Sequence, residues 1–143
     1  MFIRDLRPGR CLLAGLDHDA EIISQITCLA REEKIETGIF CVIGALKRAE
    51  LGYYDQESFE YRKILVEGPV ELISASGNVS LRDGQPFVHA HAALSDREGR
   101  IWGGHLTKGT VFAAELHMQE LLGHQPVERE HDSVTGLYLW SEK

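Results

Sequence analysis

Apolar and polar positions recur with two different periods along the chain, and the change of period sets the predicted elements. Residues 10–16, Arg-Cys-Leu-Leu-Ala-Gly-Leu, are a short apolar run that reads as a buried strand. Ile22, Ile23, Ile26, Leu29 and Ala30 then fall at helical spacing, and Arg31-Glu32-Glu33-Lys34 supplies a polar end. This predicts one main helix over about residues 19–34, packed on a sheet. Asp19 is the expected N-cap, because a short carboxylate there accepts from free backbone N–H groups.

From Gly38 onward the texture is that of strands. Residues 39–43 form a short apolar run, and residues 45–54 continue in extended style. The polar turn Asp55-Gln56-Glu57-Ser58 precedes a further strand over residues 59–66. Gly68-Pro69 punctuates, and residues 70–81 read as a strand pair or one long bent strand ended by Asp83-Gly84. Residues 111–122 carry helix-forming types, yet Phe112, Ala114, Leu116 and Met118 alternate with Ala113, Glu115, His117 and Gln119. Period two outweighs propensity there, so a strand is expected. Residues 127–130 read as a polar loop and residues 137–140 as a closing strand. The pattern sums to one main helix on a sheet of several strands, in a single domain over residues 1–143.

Between these elements, residues 86–106 read as one β-hairpin holding His89, His91 and His105. Successive strand residues point to opposite faces, so His89 and His91 share a face. A three-residue loop, Arg97-Glu98-Gly99, fits the connection. Asp96 suits the start of a type I turn, and Gly99 tolerates the left-handed conformation that closes it. Asp96 then pairs with Arg100, which sets His91 opposite His105. Opposed residues have Cβ atoms about 4.5–5.5 Å apart and diagonal ones about 7–8 Å. A two- or four-residue loop, or a bulge at Gly103-Gly104, would turn His105 to the other face.

Composition bounds the partners. The 143 residues are 43% hydrophobic and 26% charged, the balance of an ordinary soluble domain. No apolar run reaches the roughly 18–20 residues that span a bilayer, and the first ten residues lack a signal-peptide core, so no membrane role and a cytoplasmic location are expected. Cys11, Cys28 and Cys41 are odd in number and lie in apolar segments, which reads as buried free thiols in a reducing compartment. A formal charge of −7 disfavours attraction to phosphate backbones. Arg4, Arg7 and Arg10, with Lys47, Arg48, Arg62 and Lys63, could still form basic patches, and a solvated surface is the simpler explanation.

Three imidazoles in hairpin register suit zinc, or another divalent transition metal, because imidazole discriminates weakly among them. The bland alternative is a polar, solvent-facing sheet surface. Three histidines leave a fourth position open for water or a small-molecule ligand, as in catalytic zinc sites. Glu115 is the candidate carboxylate, as base or as a group supporting the ligands, should its segment be a neighbouring strand. Asp96 and Glu98 read as turn residues, His18, His117, His124 and His131 as surface residues, and Trp102 as core or subunit interface. Phosphate-binding glycine loops and nucleophile elbows are absent.

The runs Gly68-Pro69-Val70-Glu71-Leu72-Ile73-Ser74-Ala75-Ser76-Gly77, His89-Ala90-His91 and Asp96-Arg97-Glu98-Gly99-Arg100-Ile101-Trp102-Gly103-Gly104-His105-Leu106 resemble the PPC (Plants and Prokaryotes Conserved) domain. The likeness covers nearly the whole chain and is to the stand-alone prokaryotic type. It implies an α+β fold, a mixed and mostly antiparallel sheet with one main helix, assembling as a homotrimer, with His89, His91 and His105 as the metal site and Glu115 at a commonly acidic position. In plants the domain accompanies AT-hooks and carries a DNA-binding label. Here no Arg-Gly-Arg-Pro core exists, and Arg7-Pro8-Gly9-Arg10 has the wrong order. Three readings follow: a cytoplasmic homotrimeric metal-binding module for binding or regulation, a DNA-binding transcriptional regulator, and a zinc-dependent hydrolase or lyase of a small molecule. The sequence does not decide whether the protein is an enzyme.

Overall fold

Helix α1 (Ile22–Glu32) places Ile22, Ile26 and Ala30, all fully buried, against one face of a five-stranded sheet. The sheet is built from β1 (Arg7–Leu16), β2 (Gly38–Asp55), β3 (Glu60–Arg82), β4 (Gln85–Ser95) and β5 (Ile101–Leu122). A separate two-stranded ribbon, β6 (Arg129–His131) and β7 (Tyr138–Trp140), follows. This architecture comes from a computed structural model and is described over residues 1–142. The strand order is β1-β5-β2-β3-β4, with β4 pairing again to the start of β5, so that β5, β2, β3 and β4 close into a ring. All pairings of named strands are antiparallel, and the parallel element among the described residues is the bridge Leu81–Glu128.

The length of β5 makes this closure possible. Its first residues pair with β4, its middle and end with β2, and its last third also with β1. Irregularities between Leu46 and Arg48 and between Glu50 and Leu51 bend the β2–β5 ladder, as bulges do by adding local twist. Along each strand the parity of the sequence sorts the faces. Phe40 and Val42 on β2, Ala90 and Ala92 on β4, and Leu116 and Met118 on β5 enter the core, while their neighbours point outward.

Several expectations change in detail. The helix starts three residues later than expected and ends at Glu32. Residues 18–19 form a turn with Asp19 at φ +67°, tied to β5 by Asp19 N–H to Val111 O (2.9 Å) and Val111 N–H to Ala20 O (2.9 Å), so winding cannot begin there. Glu21 is the N-cap instead, accepting from the Ile23 and Ser24 N–H groups at 3.1 and 2.8 Å, while Asp19 pairs with Lys47. Strand β3 runs on through Gly68-Pro69, which forms a cis peptide, rather than stopping there. The final strand does not extend the main sheet; it folds back on residues 129–131, expected as loop. Residues 111–122 are strand, as the alternation indicated.

The three cysteines are free but exposed, not buried. Cys41 lies between buried Phe40 and Val42 and therefore faces outward, and Cys28 sits two residues from Ile26 on the helix and turns its thiol toward Glu32. An apolar segment averages two faces, and parity decides which one a residue joins.

Candidate metal centre

The three histidines are brought together by a turn whose chemistry is local. Asp96 N–H donates to Arg100 O at 3.1 Å and Gly99 N–H donates to Asp96 O at 3.0 Å, with Gly99 at φ +78°. The Asp96 carboxylate accepts from the backbone N–H of Glu98 and Arg100 and from the Arg100 guanidinium (3.0, 2.9 and 2.7 Å), which holds its pKa below the ordinary value against the opposing effect of burial. Three residues thus form the loop, and the ladder runs back in register from Ser95–Ile101 to His91–His105.

His89, His91 and His105 all leave the outward face, opposite the core. Their ring centroids are 5.1–5.5 Å apart. Each offers a ring nitrogen, and the three nitrogens lie within 4.8 Å of one another. His89 and His105 are half-buried and His91 is exposed. The Tyr61 ring lies 5.2 Å from His105, in space left by Gly52, where a Cβ would come within 2.8 Å of the Tyr61 ring. On the other side, Asn78 is directly opposite His89, and Ser76 opposite His91.

The electrostatics favour the neutral form of His89 and of His105. Burial, then the Arg129 guanidinium and the other two imidazoles, push the His89 pKa down from 6.5 to about 4. Burial and His91 push His105 down as well. Neutral imidazole is the ligating form, because a metal and a proton compete for the same lone pair. His105 Nδ1 is buried and has no hydrogen-bond partner among the described residues. Buried polar atoms are rarely left so, and a metal bond or a ligand hydrogen bond would satisfy it. The donor set, three imidazoles and no carboxylate, suits zinc and its transition-metal neighbours rather than magnesium or calcium.

Glu115 does not join this group. It lies ten positions beyond His105 on the same strand, which at about 3.3 Å per residue is roughly 30 Å away along β5. It faces a groove with Leu13, Gly15, Cys41 and Ile43, paired with Gly15 and Ile43 on the flanking strands. The expected neighbouring strand proves to be the continuation of the histidine strand itself. Of the other histidines, His18 bonds the Phe112 carbonyl through Nδ1 at 2.7 Å, His117 Nε2 lies 3.1 Å from Cys11 Sγ, and His124 and His131 are exposed. Trp102 is exposed in this chain. Tyr61, Asn78 and Arg129 flank the histidines without having announced themselves in the sequence. Arg129 sat in a segment read as polar loop, and no spacing linked it to residues some forty positions earlier.

The basic residues are largely spoken for. Lys47 pairs with Asp19, Arg62 with Asp55, Lys63 with Glu50, and Arg10 with Glu33 and Glu120. No helix among the described residues is long and apolar enough to cross a membrane.

Comparison with known proteins finds relatives that share the whole fold. A plant- and prokaryote-conserved (PPC) protein of Pyrococcus horikoshii shares 43% identity and a TM-score of 0.93, with 100% of this chain and 99% of that chain aligned. A metal-containing protein of Archaeoglobus fulgidus shares 39% identity and a TM-score of 0.95, over 99% of this chain and 100% of that one. A protein of Ralstonia eutropha JMP134, assigned provisionally as DNA-binding, shares 25% identity and a TM-score of 0.81 over 92% of this chain and 90% of that one. The bifunctional protein GlmU of Synechococcus sp. (strain JA-3-3Ab) is 31% identical over 128 residues, 87% of this chain, and the chain spans only 18% of that relative's length. The model of the Plants and Prokaryotes Conserved (PCC) domain matches residues 4–122. On that match and those structural likenesses, the chain belongs to the Plants and Prokaryotes Conserved domain family.

Proposed function

We propose that this chain is a metal-binding, homotrimeric module of the cytoplasm, formed of one domain, in which His89, His91 and His105 hold a zinc ion and the open coordination position takes a small ligand. The observation that carries this reading is the convergence of three ring nitrogens within 4.8 Å from both arms of one hairpin. The partnerless His105 Nδ1 and the metal-containing relative at 39% identity support it. A bound zinc would act as a Lewis acid and bring a water close to neutral pKa. With Glu115 remote, no carboxylate among the described residues stands in the cluster as a base, which favours a binding or regulatory role over a hydrolase or lyase.

What supports self-association is the outward face of the sheet. Leu13 is 82% exposed there, with Ile39, Ile43 and Ile73 about half exposed beside it. Contiguous apolar surface of this kind is normally covered by another chain. The DNA-binding reading draws on the Ralstonia relative; against it stand the charge of −7 and the acidic partners of Arg10, Lys47, Arg62 and Lys63. A duplex titration across salt separates the two, since phosphate binding must weaken steeply as salt rises.

Elemental analysis of the purified protein, alone and after loading with zinc and removal of excess, tests the metal reading. About one ion per chain, lost in a His89→Ala/His105→Ala double variant that stays folded, is the expected result. Wild-type protein that retains no ion under any loading contradicts it.

A further inference from the structure

The C-terminal ribbon brings a cation, Arg129, beside His89. Asn78 stands directly opposite His89, so the two side chains leave the same face with Cβ atoms about 5 Å apart. The Arg129 guanidinium donates to Asn78 Oδ1 and Ser80 Oγ, both at 2.8 Å, and to the Tyr138 carbonyl at 2.8 Å. Phe87 and Trp140 rings lie 5.5 and 5.6 Å from its central carbon. All three acceptors are neutral, and among the described residues no carboxylate forms an ion pair with Arg129.

A guanidinium carries five N–H donors in a planar fork, and three are used. The group is half-buried, and a charge taken out of water without a counter-charge is costly. Three neutral imidazoles do nothing to offset a divalent ion. An occupied site would therefore concentrate three positive charges on one patch of a protein whose formal charge is −7. Arg129 also lies beyond residues 4–122, in the C-terminal ribbon, so it is supplied by a part of the chain outside the family match.

We infer that the ligand of the histidine site is a small oxyanion, a carboxylate or phosphate, gripped by the Arg129 fork while a second oxygen fills the open position on the ion. The inference rests on the metal reading for its second contact. A guanidinium fork matches the two oxygens of carboxylate or phosphate, which a point charge does not. The neighbouring Asn78 and Ser80 hold the fork beside His89.

Cobalt(II) as the probe metal and two small anions, inorganic phosphate and glycolate, test this in the full chain. Visible spectra of the cobalt protein are expected to change saturably, with one anion per chain, and the anion that binds more tightly identifies the source of the oxyanion. Arg129→Gln should weaken that binding about 10- to 100-fold with cobalt stoichiometry unchanged, and Arg129→Lys should fall between. Asn78→Asp keeps the ribbon tethered while giving Arg129 an internal carboxylate, and it too should lose anion affinity without losing thermal stability. This second variant decides the matter if the glutamine variant fails to fold. Failure of both anions to bind the cobalt-loaded wild type, or equal affinity in the variants, overturns the inference. If the chain takes up no cobalt, it is the metal reading that fails. Calorimetry on the metal-free protein then decides Arg129's part: anion binding lost in the variants supports the contact, and no binding overturns it.

Discussion

Metal-free protein should lose stability as pH falls from about 6.5 to about 4, and His89 sets the scale. Its pKa drops from 6.5 to about 4 on folding because the ring is half-buried and faces Arg129, His105 and His91. Above pH 6.5 the ring is neutral in both states and contributes nothing. Below it the unfolded chain takes up a proton that the folded ring refuses, so folding becomes less favourable until the folded ring also titrates near pH 4. The fall from 6.5 to about 4, at about 1.4 kcal/mol per pH unit, sets an upper bound of roughly 3.5 kcal/mol. The ring keeps contact with solvent, which screens the charges around it, so about 1–2 kcal/mol is expected. His105 is shifted the same way by burial and adds to the same window. The assay is urea denaturation of chelator-treated protein at fixed concentration, from pH 7.5 to 4, for wild type and His89→Gln. The wild-type midpoint should fall by about 0.5–1 M urea relative to the variant, given a slope of about 1–3 kcal/mol per M. Parallel pH profiles for the two proteins would refute the burial and crowding assigned to this ring.

Three further outcomes are expected. Leu94→Ala removes a fully buried side chain behind the hairpin and should cost about 2–5 kcal/mol in chemical denaturation. Gly99→Ala meets no atom within 4 Å but must adopt φ +78°, so strain alone should cost about 1–2 kcal/mol, with weaker zinc retention as the turn that sets the register loosens. Leu13→Asp with Ile43→Asp puts charge on the exposed apolar face and should convert a trimer to monomers in light scattering; an unchanged mass would place the contact elsewhere.

How far the sequence could be read depended on whether the signal was local. The hairpin was legible because Asp96, Gly99 and the histidine spacing all lie within one turn and two arms, and parity carried the rest. Residues 111–122 were legible for the same reason: alternation measures burial directly, while propensity is overridden by tertiary context. The helix start was misplaced because what stops winding at Asp19 is a pair of hydrogen bonds to Val111, far along the chain. Glu115 was misassigned because the strand carrying His105 continues unbroken to Leu122, and no local pattern announces a strand of that length. Arg129 reaches the site only because β6 folds back beside β3 through the Leu81–Glu128 bridge, a contact between segments that share no period. The cysteines were misread as buried because apolar neighbours on the opposite face dominated the local average.

Anomalous diffraction above and below the zinc absorption edge, from crystals of zinc-loaded protein, puts the shared grip of the three imidazoles to the most direct trial. A single peak per chain is expected about 2.0–2.1 Å from one nitrogen each of His89, His91 and His105. A structure at full zinc loading with no peak there, or with a peak that His105 does not reach, would contradict it.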